Sequence, residues 1–395
     1  MSSTLHSYTE TLDNLSFSED EKKRLVESLK AKTGARTATS SAERPATPAE
    51  TAQVLRMPRH HRHHGWARIA AVAAALAIAV GGGTVAVAAG VLPAPSQVFA
   101  DVFGTAPAQT EIIDKIGRPI GASATSNGVT VTAQAVIGDA NGCTVVFDIT
   151  RDDGQPFDVT GLMMGRVSEN TDDKILALMF SSDDVTIDGA TSIAGSSFIY
   201  NPDVSSNTTL RYVRQFDHVD FGSASSLNGQ TCHVHLSDIE SFAPEEYRAH
   251  VKSGENLASG TWDLTFELNY EDATVNLAAG QATTLAGNSV AIDKVQVSPI
   301  GVTVDYTVAY QADLQGWKGG EESPQVSAEF EKIFGLPITV TFADGTTEDA
   351  TRGGATSSEN ANGTTSVSSS YTFTQLREHS DIASVTVGDV TIPVK

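Results

Sequence analysis

No charged residue occurs between Arg68 and Asp101. The most apolar part of this run, Ile69 to Leu92, reads IAAVAAALAIAVGGGTVAVAAGVL. As a helix of about 1.5 Å per residue it would span roughly 36 Å, more than the about 30 Å of a bilayer's hydrocarbon core. Gly81, Gly82 and Gly83 weaken its middle. Lipid tolerates them, because a spanning backbone there must satisfy its own hydrogen bonds. Trp66 stands where an interfacial aromatic anchor is expected.

The flanks orient the span. Arg56, Arg59, Arg62 and Arg68 precede it, and Pro93, Pro95, Asp101 and Glu111 follow. The positive-inside rule places the N-terminus in the cytoplasm and the chain from about residue 93 outside. The competing reading is a cleaved signal peptide, since Val98-Phe99-Ala100 resembles a small-residue cleavage site. The long stretch before the apolar core argues for an uncleaved anchor.

Charge divides at the same place. Of the 395 residues, 1–68 hold 11 Lys+Arg against 8 Asp+Glu, a net +3, while the remainder holds 15 against 40, a net -25. An exterior so acidic does not suit nucleic-acid phosphate, so no nucleic-acid partner is expected. The lipid bilayer is the first partner implied.

Residues 1–65 read as a cytoplasmic arm. Ser18-Glu19-Asp20-Glu21 forms a capping box, and the helix it opens runs to about Thr33 before Gly34. Leu25, Val26 and Leu29 make a narrow apolar stripe on it. Two readings stand: a docking helix for a cytoplasmic regulator, or a solvated helix without a partner. Residues 35–58 have the composition of a flexible tether. His60, His61, His63 and His64 could bind metal adventitiously, but nothing nearby closes a defined site, and a basic topogenic flank is the plainer reading.

Beyond Asp101 the pattern becomes short alternating runs. Gly128–Ile137 places Val129, Val131, Ala133, Ala135 and Ile137 on one strand face. Further strands are expected at 143–149, 174–180, 197–200, 209–216, 231–239 and 262–270, and then at 288–297, 301–310, 337–342, 365–373 and 383–394. A short helix is expected over 326–334. In the strand at 262–270, Trp262, Leu264, Phe266 and Leu268 alternate with polar residues, which predicts one face on a core. The expected fold is mainly β, with two extracytoplasmic β-sandwich-like (immunoglobulin-like) domains behind one transmembrane helix. The boundaries are 1–65 for the arm, 66–92 for the span, 93–275 for the first β domain and 276–395 for the second.

Cys143 and Cys232, the chain's two cysteines, both fall on strands of the first β domain. An oxidising compartment permits a disulfide between them, which in the chain-entropy account would contribute roughly 4–5 kcal/mol. The alternative is a pair of buried thiols.

Catalytic signatures are missing: the sequence has no H-E-x-x-H, no G-x-S-x-G and no P-loop. His233 and His235 share a strand face but have no assignable third metal ligand. The pairs Asp152-Asp153, Asp172-Asp173 and Asp183-Asp184 do not fit a calcium loop. No enzyme activity, cofactor or metal is expected.

The run EIIDKIGRPIGASATSNGVTVTAQAVIGD, from Glu111 to Asp139, resembles the opening of the domain of unknown function 4179 family of bacterial membrane-anchored proteins. Ile149-Thr150-Arg151-Asp152-Asp153-Gly154, Leu268-Asn269-Tyr270-Glu271-Asp272 and the run from Ser298 to Tyr306 fit the same pattern. The resemblance covers about residues 66–395. It implies an arm, a span and an exterior β region, and an association with anti-sigma factors and envelope stress signalling. It implies no catalytic residues. The arm lacks the H-x-x-x-C-x-x-C zinc motif of one anti-sigma class. Two functions remain: an envelope sensor that regulates a cytoplasmic partner such as a sigma factor, or a non-catalytic surface-binding or structural module. The extracellular ligand is not legible.

Overall fold

Period-two alternation governs most of the chain after Gly117, and a computed structural model turns it into antiparallel sheets. The structure describes residues 92–165, 174–190, 193–218, 226–242, 256–312, 323–351 and 353–394, all within one compact unit, Ala73–Lys395. The arm with Leu25, Val26 and Leu29, the histidines at 60–64 and the apolar run as far as residue 91 lie outside the described residues. Among the described residues no helix is long and apolar enough to cross a membrane.

Three short helices come first: α1 (Pro95–Val98), α2 (Ala100–Phe103) and α3 (Pro107–Ile116). The strands that follow are β1 (Arg118–Pro119), β2 (Ser123–Ser126), β3 (Val129–Gly138), β4 (Gly142–Arg151), β5 (Met163–Gly165), β6 (Ile175–Leu176), β7 (Leu178–Ile187), β8 (Ile193–Ala194), β9 (Ser197–Tyr200), β10 (Thr209–His218), β11 (Thr231–Ser241) and β12 (Asn256–Glu267). They form a nine-stranded sheet in the order β1-β3-β4-β10-β9-β6-β5, with β2 on β3 and β8 on β10. A three-stranded sheet, β12-β11-β7, completes this region. Inward residues of both sheets share one core, with Trp262 fully buried and its Nε1 donating to the Val129 carbonyl at 2.9 Å.

The C-terminal region repeats the plan with β13 (Val275–Asn276), β14 (Ala282–Leu285), β15 (Asn288–Val297), β16 (Gly301–Val308), α4 (Pro324–Phe334), β17 (Ile338–Phe342), β18 (Thr347–Asp349), β19 (Gly354–Glu359), β20 (Thr365–Thr372), β21 (Ile382–Val387) and β22 (Val390–Pro393). A six-stranded sheet runs β13-β15-β16-β20-β19 with β14 on β15, and a four-stranded sheet runs β18-β17-β21-β22. A second core joins them, from Val290, Val304 and Tyr306 on one sheet to Val340, Val385 and Ile392 on the other.

The expected single face of β3 is corrected. Register slips between Ala133 and Ala135 against β4, leaving one extra residue at Gln134. Val129, Val131 and Ala133 enter the inter-sheet core, whereas Ala135 and Ile137 enter a third cluster on the opposite face. A bulge of one residue reverses every side chain beyond it.

That third cluster holds the helices. Pro107 opens α3 at a position where its missing N–H costs nothing, and Ile112, Ile113 and Ile116 make its buried stripe. Together with Val98, Phe99 and Phe103 they cover Ala135, Ile137, Val146, Tyr200 and Val213 of the nine-stranded sheet. Gly117 ends α3 at a close approach. A Cβ there would lie 2.8 Å from the Ile113 carbonyl oxygen and 2.9 Å from Pro95 Cβ. Leu92 packs down beside Gly121, whose φ is +79°.

Candidate functional site

Two polar arrangements stand out once the cores are assigned. The first lies under the helical cap. Asp101 of α2 reaches Lys174 Nζ at 3.2 Å and Arg211 at 3.6 Å. Arg211 also donates through Nε to Asp148 Oδ1 at 2.8 Å and through Nη1 to the Val98 carbonyl at 3.1 Å. Burial works against the Arg211 charge, but Asp148 and Tyr200 outweigh it and hold its pKa above the ordinary arginine value. Burial raises the Asp148 pKa, and Arg211 partly offsets that rise. Pairs this enclosed fix geometry more than they add net stability.

The second arrangement is a cleft of about 370 Å³ where the two β regions meet. The N-terminal region contributes Asn141 from the β3–β4 turn, Gly195 and Ser196 from the β8–β9 turn, and Gln215 and Asp217 from β10. The C-terminal region contributes Thr303 of β16, Thr356 of β19, and Ser368 and Ser370 of β20. Ladder register explains why these four hydroxyls share a face. Thr303 pairs with Ser370, and Ser368 with Thr356. The intervening Val302, Val304 and Val367 point the other way, into the core.

Charge in the cleft is sparse. Among the described residues Asp217 is the one charged residue of its lining, and Gln215 Nε2 donates to its Oδ1 at 3.3 Å. Burial raises the Asp217 pKa, and the nearby Asp139 carboxylate adds to the rise. Thr356 Oγ1 is buried without a hydrogen-bond partner in the protein.

Below the cleft, a polar hinge ties the two regions together. Asp139 accepts from Ser298 Oγ at 2.7 Å and from the backbone N–H groups of Asn141 and Gly142. Tyr270 donates its hydroxyl to the Asp139 carbonyl at 3.0 Å. Burial raises the Asp139 pKa, and these hydrogen bonds oppose it. On the cap side, the Gln109 carboxamide clamps Leu376, donating to its carbonyl at 2.9 Å and accepting from its N–H at 2.7 Å.

The sequence-derived candidates distribute as follows. Cys143 and Cys232 sit on β4 and β11, buried in the same inter-sheet core, as free thiols. Burial raises both pKa values, that of Cys232 to about 12 and that of Cys143 well above the ordinary thiol value, with each thiolate disfavoured in that apolar setting. His233 and His235 share an exposed face. His233 Nε2 is 3.5 Å from Asp188, and His235 Nδ1 is 2.6 Å from Asp263 Oδ1. Among the described residues no cluster of three His, Cys, Asp or Glu is arranged to hold a metal. Asp152 accepts from Thr130, Asp153 pairs with Arg151, and Asp183 accepts from Tyr212. Asp172 and Asp173 lie outside the described residues.

Neither Asp217 nor Thr356 was singled out by the sequence. The alternation of Gln215 and Asp217 on β10, and of Ser366, Ser368 and Ser370 on β20, was the available signal.

No curated protein matches the chain. Among solved structures it is similar to the crystal structure of a conserved domain protein from Bacillus anthracis, at 14% identity over 68% of this chain and 75% of that one, with a TM-score of 0.42. The family comparison is confined to the N-terminal side, from the histidine-rich flank through the β3–β4 hairpin: residues 61–151 match the family described as Domain of unknown function (DUF4179).

Proposed function

We propose that the protein is a single-pass, membrane-anchored extracytoplasmic β protein that senses an envelope cue and regulates a cytoplasmic partner, an anti-sigma-like role. The observation that carries the reading is the helical cap. Leu92, the last residue of the apolar run, packs beside Gly121, and α1 to α3 follow at once, docked on the nine-stranded sheet. A body fixed this closely to the end of a span has no slack in which a displacement would be lost. The two β regions, each with two sheets over one core, are taken as sandwich-like domains of the immunoglobulin type meeting near residue 275. The cleft between them is the sensing face.

The role is non-catalytic. The cleft is lined by hydroxyls, carboxamides and one carboxylate, without a base-activated nucleophile. The same cleft also suits a plain surface-binding module, in which the arm serves topology alone. Deleting residues 1–50 from the full chain separates the two. Loss of a co-purifying cytoplasmic regulator, with altered transcription, is expected for the sensor. Unchanged transcription and no specific partner would leave the binding module. Protease treatment of intact cells tests the orientation, with cleavage expected after residue 92 and protection of residues 1–65.

A further inference from the structure

The walls of the cleft specify what can occupy it. An apolar ligand would strand Ser196, Thr303, Thr356, Ser368 and Ser370 against carbon, at the cost of desolvating hydroxyls without replacement partners. An anion would meet Asp217 with no Lys or Arg among the described residues of the lining. A metal ion would find one carboxylate, already engaged by Gln215. What remains is a neutral molecule that both donates and accepts along its length. Each hydroxyl of a sugar does both. A carboxylate accepts from a vicinal pair, carboxamides such as those of Asn141 and Gln215 supply donor and acceptor together, and serine and threonine hydroxyls adapt to either role.

From this lining we infer that the cleft between the β regions is a binding site for a neutral saccharide, laid along the hydroxyl face of β16, β20 and β19 and held from above by Asn141, Gln215 and Asp217. Its volume of about 370 Å³ is at the lower end of ligand sites, suited to a short oligosaccharide segment rather than a long chain. Thr356 Oγ1, buried with no partner, is the hydroxyl that a bound sugar would satisfy. Because both β regions line the site, occupancy would couple their relative position to the ligand. This inference names the ligand class of the sensing face proposed above and relies on that reading only for where the sugar is met. Binding by purified chain does not depend on membrane topology.

The test is calorimetric titration of the purified full chain with the β-1,4-linked trimers of N-acetylglucosamine and of glucose. Saturable binding of at least one trimer is expected, weakened at least about tenfold in Asn141→Ala and in Thr303→Val, the loss of one to two well-placed hydrogen bonds. Thr391→Val, on β22 away from the cleft, should bind as the parent does, and thermal melts of all variants show that each is folded. No binding of either trimer at millimolar concentration overturns the inference. Equal binding by the parent, Asn141→Ala and Thr303→Val overturns it too, since the sugar would then sit elsewhere. Tighter binding of an uncharged peptide of similar length would replace the saccharide with a peptide and reject the assignment.

Discussion

Two sheet faces in this protein meet opposite fates. The outer face of the nine-stranded sheet is covered by α1 to α3 and sealed by the Asp101–Arg211–Asp148 network. The outer face of the six-stranded sheet carries Thr303, Ser368 and Ser370 and is left open to a cleft. Both sheets are built from alternating strands with a well-filled inner core. What differs is the residue at every second position: Ala135, Ile137, Val146 and Val213 in one case, hydroxyls in the other. An apolar second face must be covered, whereas a hydroxyl face holds water until a ligand displaces it.

The sharpest way to break the covered face is Arg211→Ala. It leaves Asp101 and Asp148 enclosed without their shared partner, and the expected cost is about 3–5 kcal/mol, read as a lowered midpoint in urea unfolding. Ile113→Ala should follow at about 2–5 kcal/mol through the cavity it opens under α3, measured the same way. Gln109→Leu removes both hydrogen bonds to Leu376 and leaves two buried backbone groups unpaired. About 1–3 kcal/mol is expected, with faster hydrogen exchange at Leu376 and Arg377 as the local readout. On the open face, Ser368→Val should stay within about 0.5–1 kcal/mol, because the hydroxyl it removes contacts only a half-exposed Asp305.

Acidity sharpens the contrast further. Asp139 and Asp217 at the hinge and cleft have folded pKa values above the ordinary carboxylate value. The folded state therefore holds their protons more tightly than the unfolded chain does. Their contribution to stability is present in full below the unfolded pKa and is lost as pH rises through the folded pKa. Asp153, lowered to about 2 by its bonds to Arg151, acts in the opposite sense and loses its contribution as pH falls toward that value. Lowering pH from neutral toward the ordinary carboxylate pKa of about 4 should thus raise the melting temperature slightly, with a smaller rise in Asp217→Asn. A melting temperature that falls over that interval would contradict the assignment.

How much of this was legible before the structure depends on whether neighbours in sequence are neighbours in space. β9 and β15 fall where alternation placed them, Ser197–Tyr200 and Asn288–Val297. Trp262, Leu264 and Phe266 face the core as their spacing required. The helix over 326–334 is present, begun two residues earlier by Ser323, whose side chain accepts from the Val326 N–H. The helices at 95–116 were not foreseen within the first β domain, and two of them have only four residues. Helices so short exist only when docked, and the docking face is made by strands 20 to 110 positions downstream. Ile112, Ile113 and Ile116 between Pro107 and Gly117 were the signal that a helix was there. The cleft was less legible still. Asn141, Asp217 and Ser368 are brought together by a junction that no local pattern encodes.

The extra residue at Gln134 gives β3 two reading frames. Its first half is phased to the inter-sheet core and its second half to the cap, so one strand serves two layers that need apolar residues on opposite sides. Insertions and deletions are usually absorbed near where they occur. Deleting Gln134 is such a case, because it removes only the unpaired residue and leaves Ala135 and Ile137 toward the cap and Val136 toward the core; pairing Gln134 into the ladder would instead turn Ala135 and Ile137 inward, turn Val136 outward, and strip the cap of its seat. The attachment of everything between residue 92 and residue 117 is thus set by a phase, and a phase has no partially correct value.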